Sequence, residues 1–329
     1  MKVAFHSNQL SERGTEVALY KYAKYNIEIL GNESIIISSS QREHPGLSKF
    51  VENFPVFLYD GQCVDGTSND DVRIQIENIC AEQNVDVFYA IKAGENDGII
   101  PTNVKTAMHC VFRMPQPHGD VYASICKYLS EKSGKDYPYV HHVLEKEMPD
   151  VTDDLRSELG IPEDVLVLGR HGGNDTFSLP VYGVIAKALE DREDLWFVFL
   201  NTNKFIDHPR VIFLPMSIDE EYKAKFINTC DGMIHARADG EMFSMSVAEF
   251  VVRNKPIITW NPKQPPAHYD TGHLYLLKES GIYYETEQDL FDILMLLEKK
   301  NLNLGSWDNF TADYTPEKVM EEFKTVFLS

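Results

Sequence analysis

The chain has 329 residues, a length that accommodates two domains with hydrophobic cores of their own. Hydrophobic residues make up 43% and charged residues 25%, values typical of globular proteins and not of disordered or fibrous ones. The 51 acidic residues outnumber the 31 basic ones and give a formal net charge of −20. Such a surface repels phosphate backbones, so nucleic acid is not an expected partner.

The N-terminal segment and the cysteines both indicate a cytoplasmic protein. The sequence MKVAFHSNQL enters an apolar strand at once and has no signal-peptide pattern, and no apolar run approaches the ~20 residues of a membrane-spanning helix. The cysteines are odd in number, widely spaced and free of any C-x-x-C pair, which favours reduced, mostly buried thiols over a disulfide framework or a zinc site. They are Cys63, Cys80, Cys110, Cys126 and Cys230.

Short β-branched or aromatic runs alternate with amphipathic stretches through the first half of the chain. This alternation is typical of parallel sheets built from βαβ units. The predicted strands are 2–6, 34–38, 56–59, 85–90 and 105–111, and the predicted helices are 15–30, 70–83 and 121–133.

A polar, acidic stretch after Tyr139 predicts a linker, and the second half then repeats the alternation. Its predicted strands are 166–170, 196–200, 211–214, 232–235, 256–259 and the GIYY run, and its predicted helices are 179–189, 219–228, 244–252 and 287–299. A last helix, 315–327, has Thr315 as N-cap and Pro316 at its first position. The sequence therefore predicts an α/β protein with two Rossmann-like domains in tandem, at 1–148 and 149–310, a deep cleft between them, and a C-terminal helix at 311–329.

The loop after the strand 232–235 is the richest candidate for chemistry, because ligands of open α/β sheets bind beyond the carboxyl ends of the strands. It reads HARADGEMFSMSVAEF and leads into a helix. Backbone N–H groups at a helix start attract an anion, and a diphosphate is the expected one. The amides concerned are those of Phe243, Ser244, Met245 and Ser246.

Glu241 and Glu249 stand on either side of this anion site. Their spacing of eight corresponds on an ideal helix to ~12 Å of rise and ~80° of rotation, which excludes a close catalytic pair and suits the recognition of hydroxyls at two ends of a sugar nucleotide. The spacing alone is weak, because Glu279 and Glu287 share it without a glycine loop before them. The alternatives are a capping carboxylate for Glu241 and a solvated helix residue for Glu249.

Three further loops follow predicted strands. In GRHGGNDTFS, Arg170 offers a cation, and Gly172 and Gly173 allow close approach of a phosphate; the alternative is a turn with a surface arginine. His109 ends a strand and is either a packed residue or a group facing the cleft. The loop SERGTE precedes the first helix, where a glycine turn needs no ligand. The sequence holds no dinucleotide, phosphate-loop, nucleophile-elbow or zinc motif, and no metal is expected.

The segment GEMFSMSVAEFVVRNKPIIT resembles the E-x7-E region of retaining glycosyltransferases with the GT-B fold, the broad family 4 type. RGTEVALYKYAKY is similar to the N-terminal glycine loop and helix of that family, AMHCVF to its strand-end histidine, and LRSELGIPEDVLVLGR to the linker and first strand of its donor domain. The final helix resembles the one that crosses back to the first domain.

The resemblance implies an acceptor domain, a donor domain and a catalytic set of Glu241, His109 and Arg170. Glu241 would contact the donor sugar, Glu249 the ribose, and His109 the region of the transferred sugar. Arg170 would hold the diphosphate with the amides of residues 243–246. The loop 214–217, with Met216, would flank the base.

Two departures from the family pattern bear on these roles. Asp175 stands where the family has a phosphate-binding lysine, so Lys204 or Arg237 would replace it. The N-terminal glycine pair is reduced to Arg13 and Gly14, which with Thr15 form the acceptor side.

The expected activity is transfer of a sugar from a nucleoside-diphosphate sugar to a glycan, lipid or small-molecule hydroxyl, with retention of configuration. The sugar nucleotide is a co-substrate, and neither a metal nor another cofactor is implied. The rivals are a sugar-nucleotide epimerase on the same fold and a two-domain binding protein without chemistry.

Overall fold

The computed structural model describes residues 1–11, 13–62, 69–145, 151–217 and 219–329. The chain divides into two compact units. The N-terminal unit comprises Met1–Val143 together with Asp313–Ser329, and the C-terminal unit comprises Leu144–Ala312.

The N-terminal unit is built on one parallel sheet of six strands in the order β3-β2-β1-β4-β5-β6. Its strands are β1 (Lys2–His6), β2 (Glu33–Ser39), β3 (Val56–Tyr59), β4 (Val87–Lys92), β5 (Lys105–Cys110) and β6 (Val121–Ser124). Its first helices are α1 (Gly14–Glu28), α2 (Leu47–Asn53), α3 (Asp70–Glu82) and α4 (Lys127–Lys132).

The C-terminal unit repeats this plan with the order β12-β11-β10-β7-β8-β9, again all parallel. Its strands are β7 (Leu166–His171), β8 (Leu195–Leu200), β9 (Val211–Leu214), β10 (Gly232–His235), β11 (Ile257–Trp260) and β12 (Gly281–Tyr284). Its helices are α5 (Arg156–Leu159), α6 (Tyr182–Asp191), α7 (Glu220–Thr229), α8 (Met245–Val251), α9 (Gly272–Leu277), α10 (Glu287–Leu296) and α11 (Lys299–Leu304). Both sheets therefore have the Rossmann order, as predicted.

Apolar layers cover both faces of the C-terminal sheet. Along β7, Leu166 and Leu168 belong to one core cluster, whereas Val167 between them belongs to the other. Successive side chains of a strand point to opposite faces, and a parallel strand covered on both sides is apolar throughout. This explains why LVLGR reads as a continuous apolar run.

The predicted helix 121–133 is wrong in its first part. Val121–Ser124 forms the edge strand β6, paired in parallel with β5 from Ala107 to Cys110. A β-branched and aromatic start suits a strand that completes a sheet, so tertiary pairing outweighs the helical periodicity. The helix α4 begins only after Cys126. The short helices α2, α5, α9 and α11 were not predicted.

The C-terminal helix α12 (Pro316–Phe323) packs in the N-terminal unit. It begins after Thr315, whose hydroxyl accepts the Lys318 N–H at 3.5 Å, with proline at the first helical position as predicted. Its apolar residues join the core around β1 and β4, because Val319, Met320 and Phe323 are all buried there. The next five residues, Lys324–Leu328, form a π-helical turn that buries Phe327.

The four cysteines within the described residues are free and buried, as predicted, and Cys63 lies outside those residues. None of the helices in the part of the chain that the structure describes is both long and apolar enough to cross a membrane. The predicted linker lies partly outside the described residues, which omit 146–150.

Candidate functional site

Each sheet has a point at which the strand order reverses, between β1 and β4 in one unit and between β7 and β10 in the other. Ligands of open α/β sheets bind outside the carboxyl ends of the strands at this point. In the C-terminal unit, Arg170 lies near the end of β7, and Arg237 and Glu241 follow β10. The fold therefore brings three predicted site residues to one edge of the sheet.

Arg170 is buried and turned towards its own loop. Its Nη2 donates to the carbonyl of Gly173 at 2.8 Å and to the hydroxyl of Thr176, and its Nη1 donates to the hydroxyl of Thr202 at 2.6 Å. Burial lowers the pKa of Arg170 to about 10, so the guanidinium still carries its charge at neutral pH. Arg170 is thus a fixed positive charge, and the alternative of a surface arginine does not hold.

Arg237 lies beside Glu241. Its Nη1 is 3.5 Å from Glu241 Oε1, and its Nε is buried without a hydrogen-bond partner among the described residues. An unsatisfied buried N–H costs free energy unless a ligand or water accepts it. Arg237 therefore has a donor available for an anionic ligand.

The Glu241 carboxyl group is held in its ionised form. Burial alone would raise its pKa, but the hydrogen bond from His235 and the charges of His235 and Arg237 outweigh burial and lower the pKa to about 2. His235 Nε2 lies 3.2 Å from Oε1. The predicted alternative of a helix cap is excluded, because Ser244 caps α8 by accepting the Val247 N–H at 3.3 Å.

Backbone contacts fix the position of Glu241. Its N–H donates to the Asp270 carbonyl at 2.9 Å, and its carbonyl accepts the N–H of His273 at 3.1 Å. The preceding Gly240 has a φ of +62°, and a Cβ there would lie 2.1 Å from the Asp270 oxygen. Only glycine allows the two loops to approach this closely.

The sequence analysis missed a buried polar network behind Glu241. Nδ1 of His235 lies 2.9 Å from Oγ1 of Thr259, and this hydroxyl lies 3.3 Å from Nε2 of His273. Burial, followed by the charge of His235, lowers the pKa of His273 to about 3. His235, which ends β10 and is the first residue of HARADGE, was the available signal, but it was not among the predicted site residues.

Glu249 is buried within the unit and is not a solvated helix residue. Its carboxylate lies 2.7 Å from Lys223 Nζ and 3.1 Å from His171 Nε2. These groups come from α7 and from the end of β7, so three separate elements meet at this carboxylate. Neither Lys223 nor His171 was predicted as a neighbour.

The other predicted donor-side residues are placed differently. Gly172 has a φ of +148°, and a Cβ there would lie 2.9 Å from Arg170 Nη2, whereas Gly173 supplies a carbonyl to the same nitrogen. Lys204 is exposed and lies 2.9 Å from Asp207. Met216 is also exposed. Of Lys204 and Arg237, it is Arg237 that lies beside Glu241.

His109 lies in the interior of the N-terminal unit. It is fully buried, its Nε2 faces the carbonyls of Ser124 at 3.1 Å and Val140 at 2.9 Å, and its Nδ1 lies 2.7 Å from the Tyr89 hydroxyl. Burial lowers its pKa to about 3. Because both ring nitrogens have internal partners, His109 is a core histidine, and its predicted contact with the transferred sugar has no support from this position.

The N-terminal unit has a cavity of about 300 Å³ at its own reversal point. The lining includes Thr15 and Glu16, which stand at the start of α1, after Arg13 and Gly14. The Glu16 carboxylate accepts the hydroxyls of Ser7 at 3.2 Å, Ser11 at 2.7 Å and Thr15 at 2.9 Å. The predicted acceptor-side segment therefore borders a polar cavity.

No protein-family model and no curated protein sequence matches the chain. Solved structures are similar over its whole length. Anabaena Alr3699/HepE in complex with UDP and glucose has a TM-score of 0.74 at 13% identity, covering 100% of both chains. The chain has the GT-B fold.

Other similar structures carry different descriptions. The lipopolysaccharide outer core galactosyltransferase WaaB, in its apo form, has a TM-score of 0.65 at 11% identity, covering 100% of this chain and 99% of that one. A proposed UDP-N-acetylglucosamine 2-epimerase from Listeria monocytogenes has a TM-score of 0.59 at 13% identity, covering 99% and 96%. At such identities the likeness concerns the fold, so function has to be argued from the residues of the site.

Proposed function

We propose that this protein transfers a sugar from a nucleoside-diphosphate sugar to a hydroxyl group of a glycan, a lipid or a small molecule, with retention of configuration and without a divalent ion. The observation that carries the proposal is the group formed by Arg170, Arg237 and an ionised Glu241 where the strand order of the C-terminal sheet reverses. Two cations suit a diphosphate, and a buried carboxylate suits sugar hydroxyls.

The arginines have separate tasks in this proposal. Arg237 donates from its available Nε–H to a phosphate oxygen, which removes the cost of an unsatisfied buried donor. Arg170 supplies a nearby positive charge that its own loop holds in place. Preorganised positive charge of this kind stabilises the charge that develops on a leaving diphosphate.

The carboxylates recognise hydroxyl groups. Glu241 accepts from the donor sugar and stabilises the positive charge of an oxocarbenium-like transition state. Glu249 accepts from the ribose, because carboxylate oxygens are acceptors for hydroxyl groups. The amides of residues 243–246 border the diphosphate.

The reaction breaks the bond between the sugar anomeric carbon and the phosphate oxygen, and the electron pair stays on the departing diphosphate. The acceptor oxygen forms the new bond to the same carbon from the same face, and its proton passes to the diphosphate. We place the acceptor at the cavity of the N-terminal unit, beside Glu16 and the segment Arg13, Gly14 and Thr15. The similar structures that contain UDP or UDP-glucose make a uridine donor the first one to test.

A thermal-shift screen over UDP, GDP, ADP and dTDP sugars tests the proposal. A donor at one hundred times its Kd stabilises the native state by about 2.7 kcal/mol, so one base class should raise the melting temperature. The matching donor should then show slow hydrolysis to the nucleoside diphosphate, and the rate should persist in EDTA. No shift with any sugar nucleotide would contradict the proposal, and binding without hydrolysis or transfer would indicate a binding protein.

An epimerase is the second candidate, because a proposed epimerase is among the structures that share the fold. Incubation with the donor alone separates the two functions. An epimerase releases an isomerised sugar nucleotide without any acceptor, whereas a transferase releases nucleoside diphosphate and free sugar.

A further inference from the structure

The polar network behind Glu241 begins and ends on that residue. His273 Nδ1 lies 3.4 Å from the Glu241 carbonyl, His273 Nε2 lies 3.3 Å from Thr259 Oγ1, and His235 Nδ1 lies 2.9 Å from the same hydroxyl. His235 Nε2 closes the network at 3.2 Å from Oε1 of the Glu241 carboxylate. His235, Thr259 and His273 are all buried.

The number of protons in this network follows from its two ends. A carbonyl oxygen and a carboxylate oxygen can only accept, so each of the four hydrogen bonds needs one proton from the residues in between. Neutral His273, Thr259 and neutral His235 supply only three protons. With three, two lone pairs would face each other across one contact, so a fourth proton is required.

The position of the additional proton follows from the surroundings of each ring. His273 is fully buried and faces backbone carbonyls on its Nδ1 side, and burial lowers its pKa to about 3. His235 faces Oε1 of Glu241, and the Arg237 guanidinium lies 3.5 Å from the same oxygen, which favours a carboxylate that carries no proton there. Hydrogen bonds then run in one direction, from His273 to the Glu241 carbonyl, from Thr259 to His273, and from His235 to both Thr259 and the carboxylate.

We propose that His235 is an imidazolium that holds the Glu241 carboxylate by one oxygen and thereby positions it for the donor sugar. Both contacts of the carboxylate, from His235 and from Arg237, are to Oε1. Among the described residues no hydrogen-bond donor contacts Oε2, so it is the oxygen that accepts from the sugar. His235 is a positioning residue. Its contribution to sugar transfer rests on the proposed function, whereas its protonation state does not depend on that function.

The remaining ionisable groups nearby do not supply the additional proton. The Tyr269 hydroxyl donates to the Trp260 carbonyl at 2.6 Å, and the Tyr284 hydroxyl donates to the His235 carbonyl at 3.3 Å. Burial raises the pKa of both phenols above the ordinary value, so they stay neutral. Arg237 contacts the carboxylate, not the imidazole network.

Nitrogen NMR of the ligand-free protein, labelled with nitrogen-15 histidine, tests the protonation state directly. The His235 signals are identified by their loss in His235→Gln, and both ring nitrogens should carry a proton at pH 7. His109 is an internal reference, because its two carbonyl partners and the Tyr89 hydroxyl require a neutral ring with the proton on Nε2. An unprotonated nitrogen on His235 at pH 7 would overturn the proposal.

A pair of variants tests the network. Thr259→Val removes the acceptor for His235 Nδ1 and should leave His235 with one ring proton, whereas Thr259→Ser should restore the doubly protonated ring. In assays with the sugar nucleotide that the thermal-shift screen identifies, the valine variant should raise the donor KM at least tenfold. The serine variant should restore the wild-type KM. A doubly protonated His235 in folded Thr259→Val would overturn the network, and the wild-type spectrum decides the proposal if that variant does not fold. If no sugar nucleotide binds, the proposed function fails, but the spectra still decide the state of His235.

Discussion

The two units place different charges at the same position of the same fold. In the C-terminal unit, Arg170 and Arg237 lie near the Glu241 carboxylate, and Asp175 adds a second negative charge near Arg170. In the N-terminal unit, the buried Lys92 at the end of β4 is paired with its own carboxylate, Asp97, at 2.5 Å. The charge of Lys92 is thus matched inside the unit, whereas Arg237 Nε in the C-terminal unit is buried without a hydrogen-bond partner among the described residues.

The carboxylates of Glu241 and Glu16 also differ in their partners. Glu241 contacts a histidine and an arginine, whereas Glu16 accepts from the hydroxyls of Ser7, Ser11 and Thr15. Beside Glu16, His6 ends β1 as a neutral ring, because burial and the charge of Lys92 lower its pKa to about 3. Under the proposed function, the C-terminal site would bind the diphosphate and the N-terminal cavity would bind the hydroxyl-bearing acceptor.

Replacing Arg237 should have the largest effect on activity. Arg237→Ala removes the available Nε–H and one of the two cations at the diphosphate, and loss of one such preorganised donor lowers kcat by roughly 10²–10³-fold. Steady-state kinetics with the matching donor measure this change.

Lys204→Ala is the matched control for Arg237→Ala, since Lys204 is an exposed cation of the same unit, paired with Asp207. We expect less than a threefold change in kcat from this substitution. The reverse ranking would assign the role of the missing family lysine to Lys204 and remove Arg237 from the site.

Replacing Glu16 should affect the acceptor and not the donor. Glu16→Gln weakens the hydrogen bonds from Ser7, Ser11 and Thr15 that shape the cavity, because bonds to an ionised acceptor are stronger than neutral ones. A loss of about 1.4 kcal/mol corresponds to a tenfold rise in the acceptor KM.

The matched control for Glu16→Gln is Glu28→Gln at the exposed end of the same helix, which should leave both KM values unchanged. Donor binding should be the same in both variants. A tenfold loss of donor affinity in Glu16→Gln would contradict the division of ligands between the units.

Mild acid should weaken both units, the N-terminal one slightly more. Its buried histidines His6, His109 and His142 have pKa values lowered by burial, to about 3 in the first two, and the C-terminal unit has His171 and His273 with lowered pKa values. An unfolded histidine titrates near pH 6.5, so below that pH the unfolded state binds more protons and the free energy of unfolding falls.

Hydrogen exchange of peptides from each unit between pH 7 and pH 5 measures this difference. The protection of backbone amides against exchange should decrease in both units as the pH falls. In the N-terminal unit this decrease should begin at a higher pH. Protection that rises on acidification would show that the buried histidines gain protons in the folded state.

Much of this arrangement could be predicted from the sequence, because it depends on local patterns. The apolar runs gave most strands of both sheets, and the HARADGE loop located Arg237 and Glu241. The edge strand β6 was missed, since the four residues Val121–Ser124 owe their conformation to pairing with β5. Their β-branched and aromatic residues are compatible with a strand, but the pairing itself is not visible in the local sequence.

The partners of the site residues could not be predicted from the sequence for the same reason. Thr259 and His273 follow His235 by 24 and 38 positions and meet it only in the folded unit. Lys223 reaches Glu249 from another helix. For His109, a strand end alone does not tell whether the side chain faces a ligand or the core, and here the Phe327 ring of the C-terminal segment lies 5.1 Å from the His109 ring.

The most direct test is a crystal structure of the protein soaked with the sugar nucleotide that gives the largest thermal shift. We expect the diphosphate beside Arg237 at the carboxyl ends of β7 and β10, with the sugar hydroxyls within hydrogen-bond distance of Glu241 and the ribose beside Glu249. A sugar nucleotide bound only in the N-terminal cavity, or a diphosphate that makes no contact with Arg237, would contradict the account.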